Sequence, residues 1–315
     1  MSKVSVVIPV YNVEKYLGRC LDSIISQTHQ DFEILAVYDG GTDNSLFVLK
    51  EYASKDNRIK ILVHNENKGP LCARETGYKA ATGEYIMFVD SDDTIPQNSI
   101  NELLNAAICT GYDIIAGNFS SFPYKKEKGF LTETIYANPI GAYRALITNK
   151  LPHSLCGKLF NSRLFKEYHY RIIDNMTNGE DAFLLYQIIE HSNGIKVIES
   201  TVYNYYLNPS SSTHTPFSET KLSNVITTQK LRIEISQRYP EIKFLFENHV
   251  TRALCTVYYF ELRAALINRY LTENNLISFM SMKRILKAHE YKGFIRHYFL
   301  FFKSSIKRLN QKISH

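Results

Sequence analysis

Short apolar runs and amphipathic stretches alternate through the first third of the chain. Lys3 to Val10 is β-branched and apolar almost without a break, which predicts a strand buried on both faces. The run ends in Pro9-Val10-Tyr11-Asn12. Leu17, Cys20, Leu21, Ile24 and Ile25 then recur at helical spacing, with Asn12 placed to cap that helix. Next come a strand from Phe32 to Tyr38, a helix from about Asn44 to Ser54, and a strand from Ile59 to Val63. A helix from about Leu71 to Ala81 follows, then a strand from Tyr85 to Val89. A helix from about Gln97 to Thr110 and a strand from Asp113 to Gly117 complete the series. Such alternation is the mark of a parallel sheet with right-handed crossovers.

The second half is less regular. Residues from Ser120 to Lys128 read as a solvated loop, and helical spacing resumes near Ile140 to Ile147. Gly179 opens a helix with Phe183, Leu184, Ile188 and Ile189 on its apolar face. Ile195 to Glu199 and Val202 to Leu207 read as two strands, and a Ser/Thr-rich loop carries His214. From about Ser218 onward the spacing is helical. Near the end, Ile295, Tyr298, Phe299, Phe302, Ile306 and Leu309 share one helical face, with Arg296, Lys303, Lys307 and Arg308 off it. A basic amphipathic helix over residues 292–310 suits an anionic membrane surface; packing on protein is the other reading. The expected organisation is 1–120, 121–216, and a helical region 217–315.

Composition adds limits. At 315 residues and 44% hydrophobic, the chain can bury one large domain or one plus a smaller one. The net charge of +6 is local, because nine Lys/Arg against one acid lie between Ser281 and His315. That argues against a general nucleic-acid binder. The five cysteines show no paired spacing, which fits a reduced, cytoplasmic setting. The N-terminal apolar run is strand-length, not a signal peptide, and no run reaches the roughly 20 apolar residues of a membrane span.

The candidate chemistry sits at strand ends. Asp90, Asp92 and Asp93 crown the Tyr85–Val89 run, an arrangement suited to Mg²⁺ or Mn²⁺ and substrate phosphates, or to a solvated turn. Tyr11-Asn12, Asp39, and the Gly69 turn followed by Arg74 close other strands at what would be the same sheet edge. Together they predict a nucleotide-diphosphate pocket without the dinucleotide or P-loop glycine motifs. Glu180 and Asp181 fall in the first turn of their helix, where its dipole favours acids.

The segments Val6-Val7-Ile8-Pro9-Val10-Tyr11-Asn12, Asp39-Gly40-Gly41-Thr42-Asp43, Asn67-Lys68-Gly69 with Ala73-Arg74, and Gly83-Glu84-Tyr85 through Asp90-Ser91-Asp92-Asp93 resemble, in order and spacing, the inverting nucleotide-sugar glycosyltransferases of family two. The resemblance covers residues 1 to about 120. It implies an α/β fold of GT-A type: a Rossmann-like, mostly parallel sheet flanked by helices, with a helical C-terminal extension. Tyr11 and Asp39 would hold the nucleobase, with Pro9, Asn12, Gly69, Arg74, Asp90 and Ser91 also on the donor. Asp90 and Asp92, with His214, would reach Mn²⁺ or Mg²⁺. Asp181 would be the base, supported by Glu180. The implied reaction moves a hexose or N-acetylhexosamine from a UDP-sugar to a surface-polysaccharide or lipid-linked acceptor. A catalytically impaired sugar-nucleotide or glycan-binding subunit, or a membrane scaffold, is the alternative. Tyr38 and Gly41 depart from the family's usual polar residue and Ser, and Glu75 stands where Asn is frequent.

Overall fold

A parallel block of four strands carries the first half. These are β1 (Val4–Val10), β2 (Phe32–Asp39), β3 (Ile59–His64) and β4 (Tyr85–Phe88), linked by helices α1 (Glu14–Ile25), α2 (Ser45–Lys55) and α3 (Pro70–Ala80). The computed structural model describes residues 2–123, 126–127, 132–208 and 219–249. His214, the 292–310 stretch and the rest of the region beyond 249 lie outside the described residues. After α4 (Ser99–Thr110) come β5 (Ile114–Phe122), β6 (Lys126–Glu127), β7 (Thr134–Tyr136), α5 (Pro139–Ile147), β8 (Lys158–Asn161) and α6 (Arg163–Lys166). The last described elements are α7 (Glu180–Glu190), β9 (Ile195–Tyr206), α8 (Glu219–Arg238) and a short 3-10 turn.

The strands form one sheet in the order β3-β2-β1-β4-β8-β5-β9-β7, with β6 pairing β5. Residues Val4, Val6, Val7, Ile8 and Val10 are fully buried, with α3 packed on the central strand and its neighbour β2. The Val4↔Phe32 and Val4↔Tyr85 pairings set β2 and β4 on either side of β1. β8 runs antiparallel to both β4 and β5, so the sheet is mixed beyond the first four strands.

Three expectations need correction. Asn12 does not cap α1: its Oδ1 accepts from Thr42 N, while Asp43 accepts from Glu14 N and Ser45 Oγ from Val13 N. The cap is supplied from a loop thirty residues away, beyond the reach of a local pattern. The two strands expected over 195–207 are one, β9; the irregularity lies in its pairing, with register shifts near Asn118. β5 also runs on to Phe122 and pairs with β6, where a solvated loop was expected.

Candidate active site

In the order β3-β2-β1-β4 the chain steps away from β1 in both directions, so a crevice opens beyond the carboxyl ends of β1 and β4. Tyr11 stands there, 45% exposed, and Pro9 lies inside β1 opposite Val37. The acidic turn after β4 divides its carboxylates. Asp93 turns inward to β9, accepting from Tyr206 N at 2.7 Å and Tyr203 Oη at 2.8 Å. Burial, and next the charge of Asp90, push its carboxyl up to about 8. Asp93 is thus a fastening and not a third cation ligand, which corrects the grouping of three acids. Tyr203 Oη also accepts from Asp90 N at 3.1 Å. Asp92 accepts from Asn208 Nδ2 at 2.9 Å, and Arg19, stacked 3.6 Å over Tyr206, donates to the Asp92 carbonyl. Ser91 is buried behind the turn.

Asp39 is 2% exposed and clamps the next loop. Its carboxylate accepts from Lys68 N at 3.0 Å and Gly69 N at 2.8 Å. His64 Nδ1 lies 2.6 Å from Asp39 Oδ1, and His64 Nε2 lies 2.8 Å from Thr76 Oγ1. With Asp39 accepting, Nδ1 carries the proton, and a neutral ring then accepts from the Thr76 hydroxyl. Gly69 has φ +88°, and a Cβ there would sit 3.1 Å from Asn175 Cα, so the turn opening α3 requires glycine. The two departures near Asp39 fit each other: the Tyr38 hydroxyl donates to the Gly41 carbonyl. A Cβ at Gly41 would meet Asn12 Oδ1 at 2.8 Å.

Arg74, one turn into α3, is 3% exposed and joins the two halves of the site. Its Nη2 donates to Asp90 Oδ1 at 2.8 Å. Its Nη1 lies 3.0 Å from Asp181 Oδ1 and 3.8 Å from Glu180 Oε1. The Asp181 contact is an ion pair without hydrogen-bond alignment, leaving Arg74 Nη1, Arg74 Nε and Asp181 Oδ1 buried with no hydrogen-bond partner. Burial works against the charge on Arg74; the three carboxylates, Asp181 foremost, more than offset it. Glu180 is pushed up to about 7, by burial and then by Asp181, against Arg74. Asp181 is also raised by burial, with Arg74 the strongest opposing pull. Its Oδ2 accepts from Leu155 N at 3.3 Å, so the carboxylate is anchored to the loop before β8 while Oδ1 faces Arg74. Both acids do lie in the first turn of α7, after Gly179 at φ +79°.

The cation reading can be tested on the donor set. No hydrogen bond from a described residue occupies Asp90 Oδ2 or Asp92 Oδ1, and the side chain of Asp90 is 35% exposed. Among the described residues no cluster of three or more metal-ligating side chains occurs. Two carboxylates with open oxygens fit an ion of magnesium type, which keeps waters and takes substrate phosphates.

The sheet therefore brings Asp39 to Gly69, and Arg74 to Asp90, Glu180 and Asp181. His64, Thr76 and Tyr203 were missed. The strand reading stopped at Val63, one residue short of His64, and nothing in the sequence pairs Tyr203 with an aspartate more than a hundred positions earlier.

A mixed α/β sheet with carboxylates at its switch point is the architecture of sugar-nucleotide enzymes of GT-A type. The solved structure of S. aureus TarS residues 1–349 with UDP-GlcNAc has this fold: TM-score 0.67 and 20% identity, covering 82% of this chain and 73% of that one. The model of glycosyl transferase family 2 matches residues 5–196, more than half of the chain, and the protein belongs to that family. Glycosyltransferase GlyA of Streptococcus pneumoniae is 34% identical over 215 residues, which are 64% of this chain and 30% of that protein. The uncharacterized glycosyltransferase EpsJ of Bacillus subtilis is 32% identical over 227 residues, 68% of this chain and 64% of that protein. The poly(ribitol-phosphate) beta-glucosyltransferase of Bacillus spizizenii is 33% identical over 209 residues, 65% of this chain and 32% of that protein. The chain thus spans from under a third to under two thirds of the length of these curated relatives.

Proposed function

We propose that this protein is an inverting glycosyltransferase that moves a hexose or N-acetylhexosamine from a UDP-sugar to a hydroxyl of a cell-surface glycan. One observation carries the reading: the buried Oδ1 of Asp181, which has no hydrogen bond, and the carboxylate of Asp90 share the single guanidinium of Arg74. A base and a donor-side acid are thereby held at one point between the two halves of the sheet. The relative that acts on poly(ribitol phosphate), and the UDP-GlcNAc bound to TarS, support the acceptor and donor classes.

In this reading the nucleobase stacks on Tyr11 and reaches the remaining lone pair of Asp39. The Gly69 turn lets the backbone opening α3 approach the diphosphate. Asp90 and Asp92 would hold Mn²⁺ or Mg²⁺, which when bound offsets charge on the departing diphosphate. Asp181 Oδ1 takes the proton of the acceptor hydroxyl as its oxygen attacks the anomeric carbon from the face opposite the diphosphate. Arg74 favours the ionised form of Asp181 against burial, and Glu180, its carboxyl pushed up by burial and by Asp181, tempers the local negative charge.

The test is a titration of UDP with and without Mn²⁺, followed by a screen of UDP-sugars for hydrolysis. The reading expects metal-dependent binding of UDP and slow hydrolysis of one sugar, lost in Asp92→Asn. Absence of UDP binding in both conditions overturns it.

A further inference from the structure

Helix α8 carries a buried polar stripe that sugar transfer does not use. Asn224, Thr228, Arg232 and Ser236 recur every fourth residue, and all are buried. The stripe faces α7: a Cβ on Gly179 would lie 3.2 Å from Thr228 Oγ1, and the Arg232 guanidinium lies 5.0 Å from the centre of the Tyr186 ring.

Arg232 is 6% exposed and has no counter-charge among the described residues. Its Nη1 donates to Gln229 Oε1 at 2.9 Å, while Nε has no hydrogen-bond partner. Among the described residues no carboxylate comes within ion-pairing distance of it. The nearby acids are engaged elsewhere, Glu190 with Tyr143, Tyr239 and Arg238, and Glu234 with Arg171. Three further buried polar atoms make no well-aligned hydrogen bond: His153 Nδ1, Tyr186 Oη, which lies against the Arg232 guanidinium, and Asn224 Nδ2. The His153 ring lies 5.9 Å from that of Tyr186, so the first two border the guanidinium. Arg232 and the fully buried Lys158 both act on His153 as positive charges.

A guanidinium withdrawn from water without an opposite charge is among the costliest groups a core can hold. The free Nε edge belongs to the flat donor fork that matches an oxyanion. We propose that Arg232, His153 and Tyr186 form a buried oxyanion site of phosphate type. The anion supplies the missing counter-charge and fastens α8 to the helix that begins with Glu180 and Asp181. The site is separate from the donor pocket and stands whether or not the chain transfers sugar.

Thermal unfolding of the full chain in potassium phosphate and in potassium chloride of equal ionic strength tests it. The wild type should show a saturable rise in Tm of roughly 2–4 °C in phosphate over chloride. Arg232→Met should abolish the saturable rise and, in chloride, be at least as stable as the wild type, because an uncompensated charge has gone. Arg232→Lys keeps the charge but not the fork, and should lose most of the rise; it serves if the Met variant does not fold. No saturable rise in the wild type, or a full rise in either variant, overturns the proposal. So does an Arg232→Met variant destabilised equally in both salts, which would make Arg232 a structural partner of residues outside the described region.

Discussion

At the scale of single residues, the site is built around a shortage of water and a surplus of acids. Three carboxylates converge on Arg74, and the one best placed to accept a proton is Asp181, whose Oδ1 is buried without a hydrogen bond. Asp181→Asn keeps the shape, and its Oδ1 can still face Arg74, but the amide takes no proton. The expected result is a fall in kcat of roughly 10²–10⁴ with UDP affinity unchanged, read by steady-state kinetics and UDP titration. Equal loss of UDP affinity would show that Asp181 serves binding. His64 differs because its ring nitrogens engage Asp39 and Thr76. Replacing it with Ala frees the Asp39 carboxylate to swing and loosens the Lys68–Gly69 turn. Donor KM should rise about tenfold, the worth of a hydrogen bond to a charged group, with kcat near its wild-type value. Thr76→Val should move donor KM in the same direction by less, because His64 still holds Asp39.

At the scale of elements, α3 decides how closely the donor-side turn meets the sheet. Gly77 lies on its buried face, where an added Cβ would fall 2.3 Å from Val7 Cγ1 in the central strand. Val7 is fully buried and β-branched, so it cannot rotate aside freely. Gly77→Ala should therefore lower stability by about 1–3 kcal/mol despite the better helix propensity of Ala, measured as a lower urea midpoint. Gly18, inside α1, gives the contrast: its Cβ would lie 3.2 Å from the Tyr52 hydroxyl, the far end of a half-buried side chain, and Gly18→Ala should be neutral or gain up to about 1 kcal/mol. The same scale shows what a sequence can reveal. Strands β1, β2 and β4 were legible because parallel strands buried on both faces are continuous apolar runs ended by turn residues; the half-exposed edge strand β3 was legible from its mostly apolar run, Ile59 to Val63. The α7 start was legible from one glycine followed by two acids. The α1 cap was not, because its acceptors come from the loop after β2. Nor were the different fates of Asp90, Asp92 and Asp93, which depend on where β9 passes.

At the scale of the whole molecule, the buried positive region behind α7 should set the acid limit of stability. His153 is held down to about 3, by burial first and then by the charges of Arg232, His249 and Lys158. The ring is therefore neutral in the folded protein at pH values where the unfolded chain, with an ordinary imidazole near 6.5, already binds a proton. A base depressed by folding contributes stability that is complete above the unfolded value and declines as pH falls towards the folded one. Between about pH 6.5 and 3 the cost approaches 1.4 kcal/mol per pH unit at its steepest. Glu33, lowered to about 2 chiefly by its hydrogen bonds with Lys60, Thr82 and Ser5 against burial, adds acid sensitivity only below the ordinary carboxylate range. Between pH 6.5 and 5 the raised carboxyls of Asp93 and Glu180, at about 8 and about 7, act the other way, because they hold a proton in the fold that the unfolded chain has lost, so only a comparison with a non-titrating variant isolates the histidine. In phosphate-free buffer the change in stability across that interval should be more favourable for His153→Gln, which cannot titrate, than for the wild type by about 1–2 kcal/mol, followed by urea unfolding at each pH. Parallel curves for the two proteins would mean that His153 gains its proton freely in the fold, and that the positive charges placed around it are screened or paired.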